Sequence, residues 1–139
     1  MTPPIQLYRV SVKALIRDDQ DRLLLVKEGG SHWELPGGGL DHHETIEEAL
    51  RRELREETTL DLISFDPRPA FIWTYHSHYY DCEVLCLCYE TTVSGEAKTT
   101  DHTQAVQYVD PTTLTMDDME RFTEGMFEDF ANYQAILKP

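Results

Sequence analysis

Three carboxylates recur at i, i+3 and i+4 within TIEEALRRELREETTL: Glu53, Glu56 and Glu57. Thr45, with Glu48 three residues later, has the form of a capping box, so a helix is expected from Ile46 to near Thr58. Projected at about 100° per residue, that helix puts the three acids on the side of Ile46, Ala49 and Leu50, with Leu54 at the margin. Arg51, Arg55 and Glu48 fall opposite. Acids so spaced repel by a few tenths of a kcal/mol per pair even when exposed. Turned toward the protein body they are also desolvated, at several kcal/mol per unpaired charge. Arg52 can reach this side, but one guanidinium cannot neutralise three carboxylates. A hard divalent metal with oxygen ligands can.

The residues just before the helix suit the same chemistry. Pro36-Gly37-Gly38-Gly39 breaks a short apolar run and is expected to form a loop. Without side chains, Gly37, Gly38 and Gly39 permit close approach of a ligand, and a glycine carbonyl can join a metal shell. Carboxylates around a divalent ion beside such a loop are equipped to handle phosphate groups. An ordinary acidic helix with a solvated face is the simpler alternative. The shared apolar side and the preceding glycines argue against it.

The segment 38–60 resembles the Nudix box, G-x5-E-x7-R-E-U-x-E-E-x-G-U, where U is bulky and aliphatic. Gly38, Glu44, Arg52, Glu53, Leu54, Glu56, Glu57 and Leu60 fall in register, and Thr59 replaces the last glycine. The resemblance implies a single domain over 1–139 with an α/β/α sandwich around a mixed sheet. It also implies a hydrolase of phosphoric anhydride bonds that cleaves a nucleoside diphosphate linked to another moiety. Its cofactor would be Mg²⁺ or Mn²⁺, held by Glu53, Glu56, Glu57 and Gly38. Arg52 would orient a carboxylate and Glu44 would assist from the loop. Either Glu53 or an acid in a later loop, Asp101 ahead of Glu96, would be the general base. Gly37, Gly38 and Gly39 would meet substrate, as would Tyr75, because tyrosines at this distance past the box occur in some dinucleoside-polyphosphate hydrolases. The rival is a catalytically silent domain that binds a nucleotide or a protein. Retention of all four box acids disfavours it. If Thr59 must adopt a left-handed conformation it costs of order 1–2 kcal/mol, and a different turn is then expected.

The elements that position these residues read as mainly β. Residues 6–16 alternate, with Tyr8, Val10, Val12, Ala14 and Ile16 on one face, and 22–27 is a second strand able to form a hairpin with it. Short strands are expected at 32–35, 60–65, 70–75, 82–92 and 105–109, with a polar loop at 93–103. From Pro111 the spacing of Met119, Phe122, Met126, Phe127, Phe130, Tyr133, Ile136 and Leu137 is helical, one helix or two, and that stripe would pack on the sheet. Clustered strands without strict alternation with helices give an α+β or mixed α/β class.

Composition bounds the function. The 139 residues fit one domain with a real core. A net charge of −14 disfavours binding of polymeric nucleic acid, and no apolar run approaches the length of a membrane span. Met1-Thr2-Pro3-Pro4 lacks signal-peptide character, and three cysteines, an odd number, point to a reducing cytoplasm. Cys82, Cys86 and Cys88 share a strand face, where core packing is expected rather than a disulfide or metal site. His42 and His43 are expected to be exposed loop residues. The cluster Trp73, Tyr75, His76, His78, Tyr79, Tyr80 could stack a base or line a homodimer contact.

Overall fold

One 13-residue strand, Cys82–Ser94 (β6), carries most of the pairing. Its first half is flanked by Tyr8–Leu15 (β1), parallel, and Phe71–Ser77 (β5), antiparallel; its second half pairs antiparallel with Asp61–Phe65 (β4). Gly37–Gly39 (β3) runs antiparallel along the outer edge of β1, completing a mixed five-stranded sheet. A separate two-stranded sheet joins Leu23–Lys27 (β2) to Ala105–Val109 (β7). The one α-helix among the described residues, Ile46–Thr58 (α1), lies between β3 and β4. The structure is a computed structural model that describes residues 1–30 and 32–114. The helical stripe expected beyond Pro111 lies, apart from a short 3-10 turn at Pro111–Thr113, outside those residues.

A strand flanked on both sides and covered on both faces must be apolar on both, and β6 is. Val84, Cys86 and Cys88 join Leu15, Leu35, Phe71 and Trp73 in one core cluster. On the other face Tyr89 joins Val12, Ala14, Ile16 and the helix residues Ala49, Leu50 and Leu54. The three cysteines are free. Burial pushes the Cys86 thiol up to about 11, which leaves it an unreactive packing group.

Helix α1 begins and ends where the sequence puts it. Thr45 Oγ1 accepts the Glu48 N–H at 3.1 Å and Glu48 Oε2 accepts the Thr45 N–H at 3.4 Å, completing the capping box. Two expectations are corrected. The 22–27 segment meets the 6–16 segment only next to the turn, where the Leu24 N–H donates to the Ile16 carbonyl at 3.0 Å and Arg17 bridges Leu23; it forms no ladder with β1, and β2 spends its length on β7. The glycines are not a loop, because all three are drawn into the sheet by β1, with Ser11 opposite Gly39 and Lys13 opposite Gly37. Glycine suits that edge, since a Cβ on Gly37 would lie 2.1 Å from the Val12 carbonyl oxygen.

Thr59 caps α1 at φ 66°, ψ 8°, in the left-handed region, so the turn keeps the glycine-type geometry and no substitute turn is used. Its hydroxyl donates to the Glu96 carbonyl at 2.9 Å. Among the described residues, no helix is long and apolar enough to cross a membrane.

Candidate functional site

The glycine strand β3 lies against α1, and the acids of the helix meet it in graded fashion. Glu57 is 2% exposed, and its Oε2 accepts the Gly37 N–H at 3.1 Å. Glu53 packs on Gly38 so closely that a Cβ there would lie 2.6 Å from Oε1. Glu56 is further out, its side chain 42% exposed. The three acids therefore share one side of the helix, as the projection requires, but only Glu57 is fully inward.

Arg52 ties this group to the preceding loop. Its Nε and Nη2 donate to the two oxygens of Glu44 at 2.7 and 2.9 Å, Nη2 also to the Gly39 carbonyl at 3.0 Å, and Nη1 to Glu53 Oε1 at 2.9 Å. Glu56 lies 3.5 Å from the same Nη1. Glu44 in turn accepts the Asp41 N–H at 3.0 Å. The bonds from Arg52 and from the Asp41 N–H favour the ionised form and hold the Glu44 carboxyl down at about 2.

A second cation answers Glu57, and the sequence reading missed it. Lys13 in β1 is 5% exposed and donates through Nζ to the carbonyls of Leu35, at 3.3 Å, and Gly37, at 3.1 Å. Glu34 lies 3.8 Å from it. Burial opposes its charge, but the nearby Glu34, Glu57 and Glu28 outweigh that cost and keep the ammonium protonated. Glu57 has the opposite balance. Burial raises its pKa well above the ordinary carboxylate range; Lys13 opposes the rise, and a hydrogen bond with Glu28 adds to it. The signal for Lys13 was a lysine on the alternate face of a strand whose other face is apolar. A one-sided strand exposes such a residue, whereas burial of both faces of β1 forces it to find partners.

The far end of α1 is closed by the polar loop. Thr103 Oγ1 donates to the Glu57 carbonyl at 2.8 Å, Thr100 Oγ1 donates to the Glu56 carbonyl, and the Lys98 N–H donates to the Thr58 carbonyl at 2.9 Å. These bonds satisfy carbonyls that the helix itself leaves open. They also fix Asp101, exposed in the turn between the two threonines, beside the acid-bearing end of the helix. Glu96, the second loop acid, is exposed next to Lys98. Tyr75 in β5 is half-buried and lines a groove of about 500 Å³ with Glu28, His76, Ser77, His78, Tyr79 and Tyr80. Glu28 therefore joins this groove to Glu57. His42 and His43 are exposed, as expected, with His43 in a turn at φ 67°.

Among the described residues, no three carboxylate, imidazole or thiol side chains converge closely enough to enclose a cation as they stand. The donor set nonetheless suits a hard divalent ion. Three carboxylates and a glycine carbonyl are all oxygen donors, a Cβ at Gly38 would fill the space that Glu53 uses, and the buried Glu57 requires positive charge nearby.

A profile of the NUDIX domain matches residues 7–130. The RNA pyrophosphohydrolase of Saccharophagus degradans is 44% identical over 55 residues, 38% of this chain and 32% of that protein. The nucleoside triphosphatase NudI of Salmonella heidelberg is 44% identical over 72 residues, 48% of this chain and 49% of that protein. The chain thus spans about a third to a half of the lengths of these relatives. The crystal structure of the MutT protein from Methanosarcina mazei superposes with a TM-score of 0.78 at 23% identity, covering 95% of this chain and 99% of that one, a likeness of fold. With the profile spanning most of its length and the box residues gathered around β3, the chain belongs to the NUDIX domain family.

Proposed function

We propose that this protein is a divalent-metal-dependent pyrophosphohydrolase that cleaves a nucleoside diphosphate linked to another moiety. The observation that carries the reading is the buried Glu57 carboxylate on the Gly37 N–H, with Glu53 packed against Gly38 beside it. The names of the relatives, a pyrophosphohydrolase of RNA and a triphosphatase of nucleosides, support nucleotide phosphoanhydrides as the substrates to try first.

Glu53, Glu56, Glu57 and the Gly38 carbonyl would hold Mg²⁺ or Mn²⁺. When bound, the ion offsets charge on the diphosphate oxygens and acidifies water. The chain's own residues do the rest. Arg52 fixes Glu53 and Glu44 so that the carboxylates need no reorganisation when substrate arrives. Asp101, exposed beside the end of α1, takes the proton from the attacking water. The backbone of Gly37, Gly38 and Gly39 admits the phosphates, and Tyr75 lines the groove for the group attached to them. The three free cysteines suit a reducing compartment, and we place the protein in the cytoplasm.

Phosphate release from nucleoside triphosphates, nucleotide sugars and dinucleoside polyphosphates with Mg²⁺, run beside Glu57→Gln, tests the reading. Turnover of at least one substrate that the variant loses supports it. Rates on every substrate no higher than those of the variant would leave a binding domain instead.

A further inference from the structure

We propose that Arg9, braced on Tyr80 beside the glycine strand, anchors a phosphate beyond the diphosphate at the carboxylates. The protein would then prefer chains of three or more phosphates to nucleotide sugars. The inference rests on the pyrophosphohydrolase reading and narrows its substrate class.

The guanidinium carbon of Arg9 lies 4.3 Å from the centroid of the Tyr80 ring. Its Nη2 sits so close to Gly39 that a Cβ there would be 2.3 Å away. The other described arginines, Arg17, Arg22, Arg51, Arg52, Arg55 and Arg68, each lie against a carboxylate. Arg9 alone among the described arginines has none, in a chain with 26 acidic residues and a net charge of −14. A cation that avoids carboxylates in so acidic a protein, and stacks on an aromatic ring instead, keeps its hydrogen-bond donors available to a ligand. A planar guanidinium matches two phosphate oxygens at once.

The sheet register puts this cation on the same face as Lys13, the partner of Glu57. Arg9 pairs with Val84, and Val84 with Tyr75, so their side chains share the face that also carries Ser11 and Lys13. Tyr75 and Tyr80 line one groove; Arg9, on the Tyr80 ring, lines the neighbouring one with Leu40, Asp41, His42 and Glu44, none of whose carboxylates it pairs with. Along β3, Glu57 engages Gly37 while Arg9 covers Gly39. Two residues of extended strand span about 7 Å, the reach of a short phosphate chain. A phosphate chain that follows the edge of β3 from Gly37, where Glu57 and Lys13 meet, would bring its next phosphate to Arg9 at Gly39. A sugar in that place offers no charge for the guanidinium.

The test compares Arg9→Gln, Arg9→Lys and Tyr80→Leu with the unaltered protein, in steady-state kinetics with Mg²⁺ on a nucleoside triphosphate and on an ADP-sugar. Calorimetric binding of inorganic tripolyphosphate and of diphosphate, with Mg²⁺, is measured on the same proteins. Arg9→Gln should raise KM for the triphosphate about tenfold or more with kcat little changed, and leave the ADP-sugar unaffected. It should weaken tripolyphosphate binding by a similar factor and diphosphate binding little. Arg9→Lys should recover part of the loss, and Tyr80→Leu should fall between. Equal effects on both substrates, or tripolyphosphate affinity unchanged in Arg9→Gln, would overturn the assignment. If the unaltered protein hydrolyses nothing, the enzymatic reading fails by itself, and the tripolyphosphate titration still decides the role of Arg9.

Discussion

Arg52 grips Glu44 by both oxygens, Nε at 2.7 Å and Nη2 at 2.9 Å, across eight residues of sequence. This clamp joins the loop that leads into α1 to the first half of the helix. Through the Gly39 carbonyl and Glu53 it also reaches the glycine strand and the acids. A lysine carries the same charge but offers a single point of attachment. Arg52→Lys should therefore lower kcat/KM at least about tenfold and reduce Tm by several degrees, while the helix persists in circular dichroism.

The same clamp sets an acid limit on stability. The Glu44 carboxyl is held at about 2, below its ordinary 4.5, so the folded state binds its proton more weakly than the unfolded chain does. The resulting stabilisation is fully present above 4.5 and is lost as pH falls toward 2. A Tm profile between these limits should fall with acid in the unaltered protein. In Arg52→Gln the Glu44 contribution to that slope should shrink to what the Asp41 N–H alone supplies, and parallel profiles would refute the clamp.

Thr59 holds a left-handed conformation that a β-branched residue adopts at a cost of order 1–2 kcal/mol. Thr59→Gly gives up an exposed hydrogen bond to Glu96 and should still gain about 1 kcal/mol, seen as a rise in Tm. Thr59→Val keeps the strain without the bond and should melt lower than the unaltered protein.

Thr103 is buried and donates to the carbonyl of Glu57. Thr103→Val preserves shape but leaves that carbonyl without this partner, at a cost of about 1–3 kcal/mol in chemical denaturation. Because the same loop carries Asp101, kcat should fall as well. Unchanged kcat in a destabilised variant would remove Asp101 from the reaction.

How much of this was legible beforehand follows from the range of the interactions. Helix α1 was readable to the residue because its signals are local: a capping box at one end, and a 3.6-residue period between. β7 was equally plain. The pairing of β2 was misjudged because adjacency in sequence favoured a hairpin, while the partner β7 lies some eighty residues away and carries no mark of it. Gly37–Gly39 looked like a loop since glycine is a poor strand former; the close approach of β1, which excludes a Cβ at Gly37, is a tertiary fact. Lys13 and Arg9 escaped for the same reason, as each takes its meaning from partners on other strands. The inward turn of Glu57 was legible from the helix projection, whereas the greater exposure of Glu56 was not.

On the proposed reading, the buried Glu57 carboxylate shares a divalent ion. Calorimetric titration of Mn²⁺ into the nucleotide-free protein, with Tm read alongside, tests it most directly. The unaltered protein should bind the ion and gain several degrees. Glu57→Gln, which keeps an acceptor for the Gly37 N–H but loses the carboxylate, should bind the ion far more weakly and gain little Tm from it. Equal Mn²⁺ affinity and equal gain in both proteins would contradict the account.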